Sequence, residues 1–150
     1  MTKILRTIDE VRQQLREWKQ AGERIAFVPT MGNLHAGHLS LIEAASKPNT
    51  RVVVSIFVNP MQFGENEDFD AYPRTFDADM QALSKYNVDM VFVPVVAEIY
   101  PDSIENSTIV EVTKLSEMLE GEHRPGFFTG VATVVNKLFN IVQPDVAVFG

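Results

Sequence analysis

The chain has 150 residues, 45% of them hydrophobic, which is enough for one folded domain with a sizeable core. Its 13 Lys and Arg against 20 Asp and Glu give a net charge of −7, which argues against nucleic-acid binding, and the absence of cysteine excludes disulfides, thiolate metal ligands and a cysteine nucleophile. No apolar run approaches the ~20 residues of a membrane span, and the first residues lack a signal peptide's apolar stretch. We therefore expect a cytoplasmic protein that binds neither nucleic acid nor membranes.

The first third of the chain predicts a helix, a strand and a second helix. Thr7, with Glu10 three residues later, has the pattern of a capping box, and apolar residues at helical spacing follow it. Residues 25–28 form an apolar run that predicts a buried strand. The second helix is predicted from about Ala36 to about Ser46.

Most of the candidate chemistry lies between that strand and the second helix, where residues 29–38 read Pro-Thr-Met-Gly-Asn-Leu-His-Ala-Gly-His. A helix start presents unpaired N–H groups and a partial positive charge, which favour an anion such as phosphate. His35 and His38, three residues apart, would share one face of the first turn, and Gly37 would let a ligand approach the backbone. The pattern indicates a phosphate or nucleotide site.

Two alternative roles for these histidines stay open. Each could be a solvated or capping residue at a helix start, or the two could be metal ligands, which also recur at short helical spacing. The metal alternative lacks a third ligand, because the remaining histidine, His123, is remote in sequence. The sequence assigns no metal ligands.

The rest of the chain continues the alternation of strands and helices. Further strands are predicted at residues 51–58, 88–93 and 145–149, with a short one at 108–112. Further helices are predicted from residue 75, at 95–100, at 115–119 and at 131–142, and loops at 59–69 and 121–130. This order predicts an α/β fold that is Rossmann-like and doubly wound, with a mainly parallel sheet and helices on both faces.

Two aspartates, Asp77 and Asp79, fall in the first turn of the helix predicted from residue 75. Carboxylates at that position complement the partial positive charge of a helix N-terminus. We favour this interpretation over a metal-binding role.

Several polar segments follow predicted strands and would meet at one edge of the sheet. Asn59 and Gln62 follow the strand at 51–58, and Gly150 follows the last strand. Ligands of open parallel sheets bind outside the carboxyl ends of the strands. An amide such as Gln62 is commonly a turn or surface residue, but it also suits a ligand with a carboxylate beside hydroxyls. The chain lacks G-x-G-x-x-G and the P-loop lysine pattern, so neither a dinucleotide enzyme nor a P-loop kinase is indicated.

Several blocks together resemble the pantothenate synthetase family, the pantoate–β-alanine ligases, within the H-x-G-H nucleotidyltransferase superfamily. They are Val28-Pro-Thr-Met-Gly-Asn-Leu-His-Ala-Gly-His38, Ser55-Ile-Phe-Val-Asn-Pro-Met-Gln-Phe63, Tyr72-Pro-Arg74, Leu119-Glu-Gly121 with Arg124-Pro-Gly126, and residues 135–150. The resemblance implies ATP-dependent ligation of pantoate and β-alanine to pantothenate through pantoyl adenylate, with release of AMP and pyrophosphate. It also implies Mg²⁺ with the ATP, and a homodimer.

By matching position, the resemblance assigns the site residues. The ATP-binding residues would be Thr30, Met31, Gly32, Asn33, Leu34, His35, Ala36, Gly37, His38 and Gly150. The resemblance makes His38 the proton donor, with His35 as a second catalytic residue. Pantoate and β-alanine would contact Pro29, Met31, Asn59 and Gln62, and Tyr72 would lie in a loop that covers the site.

Two departures from the family pattern bear on activity. The sequence stops at Gly150, where the family continues with Glu-Lys-Asp and a second, smaller domain that brings further ATP and pantoate ligands. We therefore expect residues 1–150 to be a nucleotide-binding domain that binds its ligands weakly and is poorly active alone. Phe127 stands where many members have the His of Pro-Gly-His-Phe, which removes one imidazole contact.

Two rival functions stay open at this point. Another nucleotidyltransferase, such as a cytidylyltransferase, would share H-x-G-H but would leave residues 59–63 unexplained. A non-catalytic ligand-binding or dimerisation module is the second rival. Pyrophosphate exchange that depends on pantoate would separate the ligase from the first of these, and adenylate detection would separate it from the second.

Overall fold

A computed structural model describes residues 1–64, 67–114 and 126–150. Five parallel strands form one sheet in the order β1-β4-β3-β2-β5. The strands are β1 (Lys3–Leu5), β2 (Arg24–Thr30), β3 (Thr50–Ile56), β4 (Met90–Phe92) and β5 (Val146–Ala147). The helices are α1 (Ile8–Gln20), α2 (Ala36–Ala45), α3 (Phe76–Leu83), α4 (Val96–Ile99) and α5 (Phe127–Val142), with a 3₁₀ turn at Pro60–Gln62. The predicted α/β fold is confirmed.

Helices cover both faces of the sheet, as the doubly wound prediction requires. Successive side chains of a strand point to opposite faces, so β2 divides its apolar residues between two cores. Ile25 and Phe27 pack with α1 and α5, whereas Ala26 and Val28 pack with α2 and α3. Because all strands run in parallel, their carboxyl ends meet at a single edge.

Helix α1 confirms the predicted capping box. The Thr7 hydroxyl accepts a hydrogen bond from the Glu10 N–H, and the Glu10 carboxylate accepts one from the Thr7 N–H. The buried stripe of this helix contains Val11, Leu15 and Trp18. The helix therefore begins and ends where its local sequence specifies.

The structure differs from the prediction at three places. Strand β1 was missed because three residues carry little pattern and its pairing partner, β4, lies far along the chain. The strand predicted at 108–112 is wrong, since there the Val110 N–H donates to the Thr133 hydroxyl of α5 instead of a neighbouring strand. Helix α5 begins at Phe127, four residues before the predicted start, in residues assigned to the loop. The helix predicted at 115–119 lies outside the described residues.

Within the described ranges, we find no helix with the length and apolar character needed to cross a lipid bilayer.

Candidate functional site

The loop between β2 and α2 lies at the carboxyl edge of the sheet and is fixed by its own first residues. The Thr30 hydroxyl donates to the Ser55 carbonyl at 2.8 Å and accepts from the Gly32 N–H at 3.1 Å. Gly32 has a φ of +77° and Asn33 a φ of +53°, so two successive residues adopt the left-handed conformation. The loop therefore turns sharply away from the sheet before helix α2 begins.

Both histidines of the loop accept hydrogen bonds from the backbone through Nδ1. His35 is the N-cap of α2, where its Nδ1 accepts from the Gly37 N–H at 3.0 Å. The Nδ1 of His38 accepts from the His35 N–H at 3.2 Å, and the two ring centroids are 4.0 Å apart. Because a neutral imidazole carries one proton, Nδ1 acceptance leaves Nε2 as the N–H donor of each ring. The loop presents two such donors at a helix N-terminus, as the spacing predicted.

The electrostatics of His38 favour that neutral form. Burial lowers its pKa below the usual 6.5, and the electrostatic interaction with the His35 ring lowers it further, while Asp79 opposes both effects. A lowered pKa keeps His38 neutral near pH 7. The ring is then a hydrogen-bond donor without a net charge.

A second polar cluster follows strand β3. The buried Tyr100 hydroxyl donates to the Asn59 Oδ1 at 2.6 Å, and the Asn59 Nδ2 donates to the Gly130 carbonyl and to the Gln62 Oε1, both at 3.0 Å. The Gln62 Nε2 lies 3.6 Å from the Met31 sulfur. Asn59 thus orients Gln62 against the histidine loop, and the two segments meet at one edge of the sheet, as expected from their positions after β2 and β3.

A cavity of about 270 Å³ joins the histidine loop, the 3₁₀ turn and helix α5. It is lined by Pro29, Thr30, Met31, Gly32, His38, Phe57, Gln62, Tyr72, Val131, Val134, Val135, Leu138 and Phe149. A larger cavity of about 460 Å³ lies on the other side of the loop and shares Met31, Gly32 and Phe57 with it. The smaller cavity is the one that contains an imidazole and an amide, so we take it as the candidate site.

The remaining predicted site residues lie around this cavity without lining it. Asn33, Leu34, His35, Ala36 and Gly37 form the rest of the loop and the first turn of α2. Asn59 is buried behind Gln62. Gly150 lies against the side chain of Leu41 on α2. Their roles toward a ligand stay predictions.

Tyr72 lies in an aromatic group at the mouth of the cavity. Its ring meets the Phe63 ring edge to face at 5.9 Å, and Phe63 packs in the same way on Phe69 at 5.4 Å. The Arg74 guanidinium donates to the carbonyls of Phe69, Asp70 and Tyr72 and so folds this segment on itself. The loop that bears Tyr72 is therefore placed to cover one side of the site.

Sequence reasoning missed the part that Asp79 plays, because we assigned it to the helix dipole. Its side chain is buried and accepts hydrogen bonds from the backbone N–H groups of Asn33 and Leu34. A dipole interaction alone would leave the carboxylate free to face solvent. Local sequence held no signal for this contact, since the two partners lie 46 and 45 residues away.

Among the described residues that line the cavity, none is a lysine or an arginine. The same part of the chain also holds no group of three or more His, Asp or Glu side chains placed to bind a metal ion.

Comparisons with known proteins extend over nearly the whole chain. The family model described as pantoate-beta-alanine ligase matches residues 3–150. The pantothenate synthetases of Shewanella sp. strain ANA-3 and of Shewanella loihica are 59% and 61% identical over 143 residues, which is 95% of this chain and 51% of each relative. The chain thus spans about half the length of the curated relatives it matches.

Solved structures agree with the sequence comparisons. Pantothenate synthetase from Thermus thermophilus superposes with a TM-score of 0.86 at 46% identity, covering 97% of this chain and 50% of that one. A pantoate-beta-alanine ligase from Francisella tularensis, complexed with beta-gamma ATP and beta-alanine, superposes with a TM-score of 0.88 at 41% identity. That match covers 98% of this chain and 56% of the other.

Proposed function

Because the chain belongs to the pantoate-beta-alanine ligase family, we propose that residues 1–150 form the nucleotide-binding domain of an enzyme that ligates pantoate to β-alanine and cleaves ATP to AMP and pyrophosphate. The observation that carries this proposal is that His38 and Gln62 line one cavity at the carboxyl edge of the sheet. One residue offers a neutral N–H donor at a helix N-terminus, and the other offers an amide for an organic acid. The Francisella tularensis relative supports the choice of ligands, since its structure holds an ATP compound and beta-alanine.

In the first step, a carboxylate oxygen of pantoate bonds to the α-phosphorus of ATP, and the bond from that phosphorus to the pyrophosphate oxygen breaks. Negative charge builds up on the phosphoryl oxygens and on the departing pyrophosphate. Donors that are fixed in advance lower the energy of such a state most effectively. The Nε2–H groups of His38 and His35 are the donors that this chain supplies.

In the second step, the amine of β-alanine attacks the acyl carbon of pantoyl adenylate. A C–N bond forms, the bond from carbon to the AMP oxygen breaks, and the nitrogen gives up a proton. Gln62, which Asn59 orients, holds the organic acid on one side, and Tyr72 covers the cavity on another. Shelter from water matters here, because water would hydrolyse the adenylate before the amine arrived.

The same proposal includes a magnesium complex of ATP as the nucleotide substrate, the cytoplasm as the place of reaction, and a homodimer as the assembly. The exposed apolar side chains of Ile109 and Val112, each 52% exposed, lie beside α5 and are suited to contact a second copy of the chain. Sedimentation of the natural full-length protein tests the dimer.

The test of the activity is exchange of labelled pyrophosphate into ATP by the natural full-length protein. We expect exchange only when pantoate is present, and a His38→Ala variant should lose ~10²–10³-fold in its rate. Glu43→Gln is the control, since Glu43 is an exposed residue of the same helix. Exchange without pantoate, or near-normal exchange by His38→Ala, would contradict the proposal.

A further inference from the structure

A carboxylate from helix α3 holds the histidine loop from behind. The Oδ2 of Asp79 accepts from the Asn33 N–H at 3.0 Å, and its Oδ1 accepts from the Leu34 N–H at 2.9 Å. The Thr75 hydroxyl donates to the same Oδ1 at 3.2 Å. With 3% exposure, Asp79 is one of the few buried acidic groups of the described chain. Hydrogen bonds to a charged acceptor are shorter and stronger than those between neutral groups.

These contacts lie next to the backbone groups that fix the positions of the two histidine rings. Leu34 directly precedes His35, and the His35 N–H is the group that binds the Nδ1 of His38. Gly32, at the start of the turn, passes so close that an added Cβ would lie 3.1 Å from the Asp79 Oδ2. The backbone that sets both rings is therefore held through Asn33 and Leu34.

Helix-dipole complementation does not account for this arrangement. Asp77 lies in the same first turn and is exposed, whereas Asp79 is buried and directed at the loop. Thr75 is the N-cap residue of α3 and makes no side-chain capping hydrogen bond, whereas its hydroxyl donates to Asp79. The Thr75 side chain thus contacts the carboxylate that binds the loop.

We propose that Asp79 is a positioning residue of the ligase. It fixes residues 32–34 and thereby places the Nε2–H donors of His35 and His38, which stabilise the charge that develops when the carboxylate of pantoate attacks the α-phosphorus. The inference rests on the proposed function. Asp79 does not line the cavity that contains His38 and Gln62, but lies across the loop from it, so it acts on the substrates through the loop alone.

The test compares Asp79→Asn with Asp77→Asn in the natural full-length protein. Both variants remove one carboxylate from the same turn, but the amide introduced at position 79 can accept from only one of the two loop N–H groups and opposes the other with its own N–H. We expect Asp79→Asn to lower the kcat of adenylate formation by about 10- to 100-fold, with KM values changed less than about threefold, because misplacement by ~1 Å costs rate more than binding. Asp77→Asn should match the wild type.

Amide hydrogen exchange supplies a measurement that does not depend on activity. Exchange at the Asn33 and Leu34 N–H groups should speed up in Asp79→Asn, while amides inside β2 keep their rates. If Asp79→Asn does not fold, Thr75→Val takes its place, since it removes one donor to the same carboxylate and no helix cap. This variant should show a smaller loss of kcat and faster exchange at Leu34.

Wild-type values of kcat and of exchange in the folded variant would overturn the inference. If the proposed ligase function is wrong, the experiments give a different result. In that case the wild-type protein itself shows no pantoate-dependent exchange of pyrophosphate, whereas faster amide exchange in Asp79→Asn still demonstrates the hold on the loop.

Discussion

At the scale of single residues, the site depends on backbone groups that fix how side chains hydrogen-bond. His35 and His38 each accept a backbone N–H at Nδ1, so the proton of either neutral ring stays on Nε2. Protonation of Nδ1 would break the hydrogen bond that this atom accepts, because the new N–H of the ring would then face the backbone N–H. The loop therefore favours the neutral form of His38 through geometry as well as through burial.

This arrangement predicts the pH dependence of His38. Its pKa in the folded protein lies below 6.5, so the unfolded chain binds the proton more tightly, and the stability that comes from neutral His38 is complete above about pH 6.5 and is lost as the pH falls through the folded pKa. Histidine resonances followed by NMR should show a His38 pKa below 6.5. His35→Gln should raise that pKa, because the interaction with the His35 ring is one of the causes that lower it. A His38 pKa at or above 6.5 in the wild type would contradict this account.

The Tyr100 hydroxyl sets the orientation of two amides in turn. Burial raises its pKa to about 12, so it is always a donor, and the Asn59 oxygen must face it. The Asn59 Nδ2 then donates to Gln62, whose own Nε2 is directed to the Met31 side of the cavity. Through this chain of hydrogen bonds, Tyr100 influences which end of Gln62 faces the cavity.

Tyr100→Phe should therefore impair binding of pantoate more than the chemical step. We expect its KM for pantoate to rise several-fold with kcat nearly unchanged, and its free energy of unfolding to fall by about 1 kcal/mol. Steady-state kinetics and urea denaturation measure the two effects. Tyr86→Phe, at a half-buried tyrosine of the other core, is the matched control. Equal effects from the two variants would refute a specific role for Tyr100.

At the scale of elements, helix α5 and the 3₁₀ turn pack closely enough to depend on a glycine. A Cβ added to Gly130 would lie 2.6 Å from the Met61 carbonyl oxygen and 3.0 Å from the Gln62 backbone nitrogen. Both neighbours are backbone atoms, which cannot yield as a flexible side chain does. The approach of the helix therefore fixes the position of Gln62.

Gly130→Ala tests this contact, because we expect it to destabilise the protein, whereas a change from glycine to alanine inside a helix usually stabilises it. Alanine inside a helix is normally more stable than glycine by up to ~1 kcal/mol, but the clash here should lower the free energy of unfolding by about 1–3 kcal/mol. The KM for pantoate should rise as the turn shifts. Asn136→Ala, at an exposed position of the same helix, should leave stability equal or slightly higher. A stabilised Gly130→Ala would disprove the close packing.

The elements that could be predicted are those whose signals lie within their own sequence. Helix α1 has its capping box, and strands β2 and β3 are long apolar runs, so both ends fall within two residues of the prediction. Strand β1 forms by pairing with β4, and the Val110 N–H binds the Thr133 hydroxyl. Both partners lie far along the chain, so neither feature could be predicted from the local sequence. In the site, the histidines and Gln62 carry recognisable patterns, whereas the role of Asp79 arises only when α3 packs under the loop.

At the scale of the whole molecule, the amino and carboxyl ends of the sheet differ in their charged groups. At the amino end, Arg51 pairs with Glu23 and Asp89 across neighbouring segments and stacks on the Trp18 ring at 5.2 Å. These charges compensate one another close to the surface. The carboxyl end instead has a cavity whose described lining contains no cation and whose polar groups are neutral near pH 7.

This distribution of charge predicts how ATP binds. A chain with a net charge of −7 repels a triphosphate, and the neutral donors of the loop cannot offset several phosphate charges. We therefore expect the cation to arrive with the nucleotide, so that calorimetry of the natural full-length protein shows ATP affinity at least about tenfold weaker when Mg²⁺ is chelated, a loss of about 1.4 kcal/mol.

AMP is the control for this prediction, because its single phosphate needs far less charge compensation. Its affinity should change little when the Mg²⁺ is removed, and Mg²⁺ titrated without nucleotide should give no heat of specific binding, since we expect the ion to be held through the phosphates. A tight Mg²⁺ site in the nucleotide-free protein, or equal ATP affinity with and without the metal, would mean that the protein itself supplies the missing positive charge. The histidine loop would then only orient the nucleotide, and residues elsewhere in the protein would neutralise the charge of its phosphates.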